Sequence, residues 1–338
     1  MTENRTLCMV SRIPGVAGPA SFQRRFAAGL QRRGHHVEYG WANAEGADAV
    51  MVIGGTRQLA QLRKQRKRGT PLVQRLNGMN WIHRQRWTGL SHFLRAELNN
   101  LLLRIVRDRA DLIVYQSRFA RTWWEREHGV AGATAHVVHN GVPLDRYSPD
   151  GPGSPPPHAV RMAVIEGRIG GGYEVGLRWA LALAEGLEVE LGKQVQVVVA
   201  GAAEPSVRAQ FPEKVRWLGL LSPEEIPGLH RTSHLLFAAD LHPACPNSVL
   251  EALACGNPVA AFATGAIPEI LDASCGAVAP FGADPWQVQD PDIPSLVAAA
   301  VPLIENQQVF RQAARDRAEE AFSLERMVDG YLNALGWT

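Results

Sequence analysis

The segment from His242 to Glu251, HPACPNSVLE, carries the clearest chemical signal in the chain. Asn247 and Ser248 follow a proline and open NSVLEALA, whose VLEALA is a good helix-forming run, so they stand at a helix N-terminus with Val249 in its first turn. Free backbone N–H groups and the positive ends of the peptide dipoles gather there, an arrangement that holds phosphate. Glu251 lies about one turn further on. A carboxylate at that place can accept hydrogen bonds from two adjacent hydroxyls, as on a ribose. The same fragment also reads as an ordinary helix with an exposed glutamate. Gly256 ends the helix and Pro258 opens a strand.

A second candidate is Glu166-Gly167-Arg168-Ile169-Gly170-Gly171-Gly172-Tyr173, at the end of the apolar run RMAVIEG. Three successive glycines expose backbone N–H groups to a phosphate, or simply make a tight strand-to-helix turn. Gly170-x-Gly172-x-x-x-Gly176 is not the G-x-G-x-x-G spacing, and no well-placed acid ends the next strand, VQVVVAG. A nicotinamide-dependent dehydrogenase is therefore a distant alternative. Asp290-Pro291-Asp292 has the D-x-D spacing of metal-dependent sugar transfer, but before Ile293-Pro294-Ser295 it reads as a loop that begins a helix. Cys8, Cys245, Cys255 and Cys275 form no C-x-x-C pair and no Cys/His ligand spacing, so they read as small buried residues. No metal is expected. Nucleophile patterns of the Ser/His/Asp kind and H-E-x-x-H are absent.

Twelve short apolar runs would position these residues. LCMVSRI, HVEYGW, AVMVIG, PLVQRL, LIVYQS and AHVVHN lie in the first half. RMAVIEG, VQVVVAG, VRWLGL, LLFAA, PVAAFA and GAVAP lie in the second. Helical patterns alternate with them: Phe22, Phe26 and Leu30 recur at i, i+4 and i+8, with Gly34 as the stop. Ser222-Pro223-Glu224-Glu225 reads as a capping box. Alternation of this kind builds parallel sheets with helices on both faces. SPDGPGSPPP, residues 148–157, breaks both patterns with five prolines and two glycines. The expected architecture is α/β: two doubly wound domains, 1–150 and 151–338, facing across a cleft, with the last helix able to pack back on the first domain. Ligands of such sheets bind beyond the carboxyl ends of the strands.

Charge divides the chain in the same place. Residues 1–150 hold 23 Lys and Arg against 11 Asp and Glu, a net +12, whereas 151–338 hold 12 against 22, a net −10. Two candidate helices concentrate the basic half. One is Arg57–Arg68, with Arg63, Lys64, Arg66, Lys67 and Arg68. The other spans 90–109, with Leu94, Leu98, Leu101, Leu102 and Ile105 on one face and Arg95, Arg104, Arg107 and Arg109 near it. Leucines at this spacing form either the core face of an α/β helix or a face laid on an anionic interface. Aromatic residues do not alternate with the basic ones, so nucleic acid is not an expected partner. No apolar run is long enough to span a bilayer and no leader pattern opens the sequence, so cytoplasmic residence is expected, with peripheral contact at the inner face of the membrane as an option.

The segment from Glu251 onward resembles the signature of retaining glycosyltransferase family 4, the group 1 glycosyl transferases of GT-B fold. Glu251-Ala252-Leu253-Ala254-Cys255-Gly256-Asn257-Pro258-Val259 and Gly265-Ala266-Ile267-Pro268-Glu269-Ile270 match its second half and tail. Gly15-Val16-Ala17-Gly18 before a helix, Tyr115-Gln116-Ser117-Arg118-Phe119, and His139-Asn140-Gly141-Val142 through Tyr147 resemble earlier family segments in the right order. The resemblance implies a two-domain enzyme moving a sugar from a nucleoside-diphosphate sugar, UDP for preference, with retention of configuration. It implies no cofactor beyond the nucleotide-sugar co-substrate, and a role in glycan or cell-envelope synthesis. It assigns Glu251 to the donor ribose, Arg168 to the leaving diphosphate, and the loop at Gly18 to close backbone approach. Three family positions depart here: the first Glu is Pro243, the Lys after Arg168 is Tyr173, and the catalytic His is Asn77. Asn77 can hydrogen-bond a hydroxyl but cannot act as a base, and His83, six residues on, is the other imidazole candidate. The donor-binding set is thus Gly18, Gly170, Gly171, Gly172, Asn247, Ser248, Val249 and Glu251, with Arg168, Asn77 and His83 as the catalytic candidates. A non-catalytic nucleotide-sugar-binding protein or a sugar-nucleotide epimerase are the alternatives; the acceptor is a glycan or a lipid-linked molecule.

Overall fold

The computed structural model describes residues 4–15, 18–211 and 215–338. It divides into two compact units, one of residues 1–81, 89–141 and 323–338, the other of residues 82–88 and 142–322.

In the first unit the chain runs β1 (Thr6–Met9), α1 (Gly18–Arg32), β2 (His36–Tyr39), β3 (Ala49–Ile53), α2 (Leu59–Arg68), β4 (Leu72–Leu76), α3 (Leu90–Arg107), β5 (Leu112–Tyr115), α4 (Arg118–His128) and β6 (Thr134–Val137). The six strands form one parallel sheet in the order β2-β1-β3-β4-β5-β6. The last helix of the chain, Leu324–Leu335, returns to this unit and packs on α1. Alternation along the strands decides the layers. Leu7, Met9, Met51, Val73 and Val114 face Phe22, Phe26 and Leu30 of α1 and Leu324, Met327 and Tyr331 of the last helix. Cys8, Val50, Val52 and Leu72 face the other way, onto Leu62 of α2 and Val106 of α3. Parallel crossovers running steadily from β3 to β5 put α2 and α3 side by side on one face, as right-handed connections require.

The second unit continues with β7 (Val160–Ile169), α5 (Val175–Leu191), β8 (Val195–Ala203), α6 (Pro205–Arg208), β9 (Val215–Gly219), α7 (Ile226–Arg231), β10 (Leu235–Phe237), α8 (Asn247–Ala254), β11 (Val259–Phe262), α9 (Ile267–Ile270), β12 (Gly276–Ala279), α10 (Ile293–Glu305) and α11 (Gln307–Ala321). Its sheet is also parallel, ordered β12-β11-β10-β7-β8-β9. Strand order reverses between β7 and β10, which makes their carboxyl ends the topological switch point of this unit. All twelve apolar runs of the sequence are strands. All four cysteines are free and buried. Asp292 caps α10, its carboxylate accepting from the Ser295 N–H at 3.1 Å, and Asp290 receives the Trp179 indole N–H at 3.5 Å. Among the described residues no cluster of metal-ligating side chains exists, and no helix is long and apolar enough to cross a membrane.

Gly141 shows why the Asn-Gly-Val segment has its glycine. A Cβ there would lie 2.7 Å from the Ser323 carbonyl oxygen and 2.8 Å from Leu324 Cα, at the start of the last helix. Backbone cannot yield as a flexible side chain does, so Gly141→Ala is expected to destabilise this unit by about 1–3 kcal/mol. A urea-unfolding midpoint unchanged from the wild type would show that the returning helix is not held this closely.

Candidate active site

Several residues singled out in the sequence converge at the switch point of the second unit. β7 leads through Glu166, Gly167 and Arg168 into the Gly170–Gly172 loop and then α5. β10, beside β7, leads through Asp240 into the loop before α8. A register shift against β8 between Ile165 and Arg168 re-aims this end of β7. The three glycines have φ of 143°, 66° and 98°, values that L side chains rarely adopt. The loop's geometry therefore needs glycine, and its backbone is open to close approach. One of its donors is already engaged: the Gly172 N–H donates to the Glu174 carboxylate at 2.9 Å. Gly176, in the first turn of α5, lets the helix rest against the Ala239 carbonyl, which draws the two strand ends together.

Arg168 reaches out of the loop. Its side chain is 73% exposed and its guanidinium meets Glu204 at 3.1 Å. An exposed pair of this kind contributes little, so the guanidinium can exchange Glu204 for an anionic ligand. α8 begins at Asn247 with Pro246 as its cap residue, and no side chain caps the helix. Its first N–H groups, on Asn247, Ser248 and Val249, form the anion-favouring end of a helix. Glu251, one turn on, is 8% exposed. That replaces the picture of an exposed surface glutamate with a mostly buried carboxylate. Pro243, standing where the family has its first Glu, is buried beneath the Gly265 turn, where its carbonyl accepts from the Ala266 N–H at 2.8 Å. The preceding His242 stacks on Trp286 at 3.6 Å between ring centroids.

Two further carboxylates belong to this place: Glu166 stood in the glycine-loop motif without a role of its own, and Asp240 was not singled out in the sequence. Glu166 lies in the last part of β7 and Asp240 follows β10. Burial, with Asp240 beside it, pushes Glu166 up to about 8. Burial pushes Asp240 up to about 6, against N–H donors from His242 and Leu241 that favour its charged form. The Tyr173 phenol, standing where the family has Lys, is likewise pushed up, by burial first and then by the two carboxylates. The signal in the sequence was an acid directly after each of two apolar runs, RMAVIE and LLFAAD. Chain position alone did not bring them together, since 73 residues separate them.

His83 lies in a single 3-10 turn, Ile82–Arg84, of the same unit and is 4% exposed. Ile82 beside it packs on the loop, 3.3 Å from where a Gly172 Cβ would be. The turn that carries His83 is thus held against the glycine loop through Ile82, although it lies 87 residues ahead of it in the chain.

Asn77 and Gly18 stand in the first unit. Gly18 opens α1, and a Cβ there would meet nothing within 4 Å. Val16 and Ala17 of the same loop lie outside the described residues. Asn77 follows β4 and is held by a buried network around Arg75. Arg75 donates to Asn77 Oδ1 at 2.7 Å, to Gln116 Oε1 at 2.7 Å and to Asn140 Oδ1 at 2.8 Å. Gln116 Nε2 also donates to Asn77 Oδ1 at 2.7 Å, and the Trp124 indole donates to the Asn77 carbonyl at 2.7 Å. A guanidinium only donates, so each amide must turn its oxygen inward. The carboxamide of Asn77 is left with its NH₂ group as the outward function. It can donate to a ligand oxygen and cannot take a proton from one. The Tyr115-Gln116 and His139-Asn140-Gly141 motifs thereby acquire a shared role, since both supply arms of this network.

Two family models match the sequence. Glycosyltransferase Family 4 matches residues 39–146, and Glycosyl transferases group 1 matches residues 162–306. No curated protein matches the chain in sequence. Among solved structures, the fold is similar to that of sucrose-phosphate synthase from Thermosynechococcus elongatus, with a TM-score of 0.73 and 13% identity over 98% of each chain. It is similar to Anabaena HepE in complex with UDP and glucose, with a TM-score of 0.70 and 15% identity over 98% of this chain and 100% of the other. WaaG, a glycosyltransferase involved in lipopolysaccharide biosynthesis, aligns with a TM-score of 0.66 and 14% identity over 97% of this chain and 98% of the other. With both family models matched in order and a doubly wound parallel sheet beneath each of them, this protein belongs to the group 1 glycosyltransferases of GT-B fold.

Proposed function

We propose that the chain transfers a sugar from a UDP-sugar to an acceptor hydroxyl with retention of anomeric configuration and without a metal ion. The observation that carries this reading is the convergence of a buried Glu251, an uncapped helix start and Arg168 on one switch point of the second unit. Glu251 takes the ribose hydroxyls, the first turn of α8 and the glycine loop take the diphosphate, and Arg168 meets the charge that grows on it. Preference for UDP is supported by Anabaena HepE, which has been solved with UDP and with UDP-glucose.

The acceptor oxygen attacks the anomeric carbon on the face from which the diphosphate departs. The bond from that carbon to the diphosphate oxygen breaks, and the departing diphosphate receives the acceptor's proton. No protein base is needed, which agrees with an Asn77 that offers only N–H groups; what the step needs is stabilised charge. Arg168 and helix dipoles supply that charge, so a divalent cation is not required. The basic first half supports an anionic or lipid-linked acceptor in glycan or cell-envelope synthesis, met from the cytoplasmic side. The likeness to WaaG points to the same kind of pathway.

Calorimetric titration with UDP, GDP and ADP, followed by nucleotide release from a panel of nucleotide sugars, tests the reading. UDP is expected to bind most tightly, and turnover is expected to persist in EDTA. No binding of any nucleotide at millimolar concentration would end the proposal. Activity abolished by EDTA and restored by Mn²⁺ or Mg²⁺ would remove its metal-independent part.

A further inference from the structure

The face that α3 turns to solvent is the leucine row, which its sequence pattern favours for a core. Leu90, Leu94, Leu98 and Leu101 are 62%, 59%, 44% and 51% exposed. Their spacing places them in one row along the helix. The residues α3 buries are Ala96, Asn100, Leu103, Val106 and Arg107. α2 lies beside α3 on the same side of the sheet, since Leu62 of α2 and Val106 of α3 share one core cluster. Arg63, Lys64, Arg66 and Lys67 of α2 are exposed, and none of them makes an ion pair among the described residues. On α3 itself, Arg95 is exposed beside the leucine row, and Arg104 is paired with Asp108 at 3.6 Å.

We propose that this face of the first unit is a docking surface for an anionic phospholipid bilayer, on which α3 lies in the interfacial plane. The leucine row enters the acyl boundary while the cations of α2 and Arg95 meet the headgroup phosphates. A row of apolar side chains flanked by unpaired cations is the composition of an interfacial helix. A soluble domain gains nothing from a solvent-facing row of four leucines, and such patches mark contact sites. Charge selects the occupant. A second copy of the chain would bring two cationic faces together, which repel, whereas an anionic lipid surface neutralises them. The proposal deepens the acceptor part of the function proposed above and rests on it for the lipid-linked acceptor, although the surface is defined without it. Association of this kind holds the protein on one leaflet.

Co-sedimentation of the full chain with phosphatidylcholine vesicles, with and without phosphatidylglycerol, tests it. Binding is expected only with phosphatidylglycerol and is expected to fall with salt. The Leu94→Gln/Leu98→Gln variant is expected to lose about tenfold in partition. Neutralising Arg63, Lys64, Arg66 and Lys67 to Gln is expected to lose about a hundredfold or more. Both variants change exposed side chains outside the candidate active site, so their melting and their UDP affinity are expected to match the wild type. Three results would each overturn the proposal: wild-type protein left in the supernatant with anionic vesicles at low salt, a leucine variant that sediments like the wild type, or a wild-type dimer that the leucine variant converts to monomer. Vesicle binding as expected in a protein that binds no nucleotide would instead strike the proposed function and leave the surface standing.

Discussion

Arg168→Ala is expected to lower kcat for sugar transfer by about 10²- to 10³-fold while weakening UDP binding by a smaller factor. The difference follows from when the guanidinium is needed. In the proposed ground state the diphosphate shares its charge among the α8 N-terminus, the glycine loop and Arg168. In the transition state the new negative charge appears on the oxygen that leaves the sugar, and Arg168 is the flexible cation at the mouth of the loop. Glu251→Ala should behave in the opposite way. It removes the carboxylate proposed to accept from the ribose and is expected, by leaving two hydroxyls without partners, to weaken UDP binding by roughly 1.5–3 kcal/mol. Its effect on the bound complex should be mild, because ribose contacts do not change during transfer. A control comes from Glu204, the present partner of Arg168. Glu204→Gln frees the guanidinium and should leave turnover within about threefold of wild type, since exposed pairs contribute little. Steady-state kinetics and calorimetry on the three variants decide the matter. If Arg168→Ala and Glu251→Ala both bind and turn over donor as the wild type does, the site lies elsewhere.

The second large effect concerns pH. Glu166 and Asp240 hold protons more tightly than ordinary carboxyls, at about 8 and about 6. A raised carboxyl favours the neutral form in the folded protein. The stability that Glu166 contributes is therefore complete below its ordinary value of 4.5 and is lost progressively as pH rises towards 8. The same proton governs the diphosphate proposed to sit at this switch point. With Glu166 neutral the anion meets one carboxylate, that of Asp240; with Glu166 ionised it meets two. The dissociation constant for UDP is expected to rise about tenfold between pH 7 and 9, a window above Asp240 and spanning Glu166. Glu166→Gln keeps the shape, removes the ionisation and should flatten the profile. Calorimetry in two buffers of different ionisation enthalpy should show proton uptake on UDP binding near pH 8 in the wild type and none in the variant. A flat wild-type profile, or a variant whose profile runs parallel to it, would show that Glu166 does not face the bound anion.

These expectations draw on different levels of the molecule, and some of them were legible in the chain alone. Alternating apolar runs and helical patterns specified twelve strands in two parallel sheets, because strand and helix periods are local properties of the sequence. The first turn of α8 was legible for the same reason: Pro246, Asn247 and Ser248 set a helix boundary whatever surrounds them. Arg168, the three glycines, Asn77 and Glu251 could be found as ordered motifs, and the order resembled one family. Asp290-Pro291-Asp292 could be read as the start of a helix instead of a metal site.

Spacing along the chain could not say which side of a helix is buried or which strand ends are neighbours. Both faces of α3 repeat at helical period. The buried face is the one with Asn100, whose carboxamide holds the Asn80 backbone at 2.8 and 2.9 Å, and with Leu103, where the α3 backbone passes 3.1 Å from the Cβ position of Gly55. Close approach chose a small and polar face over a row of leucines, and that choice left the leucines in solvent. Glu166 and Asp240 met because β10 inserts beside β7, a consequence of sheet order over 73 intervening residues. The direction in which the Asn77 amide points was decided by Arg75, Gln116 and Asn140, drawn from three adjacent strand ends. Sequence determined what chemistry this protein carries, because residue type and local period are written in the chain. Tertiary structure decided which groups share one environment, because burial, proton affinity and amide orientation depend on neighbours that only folding assembles.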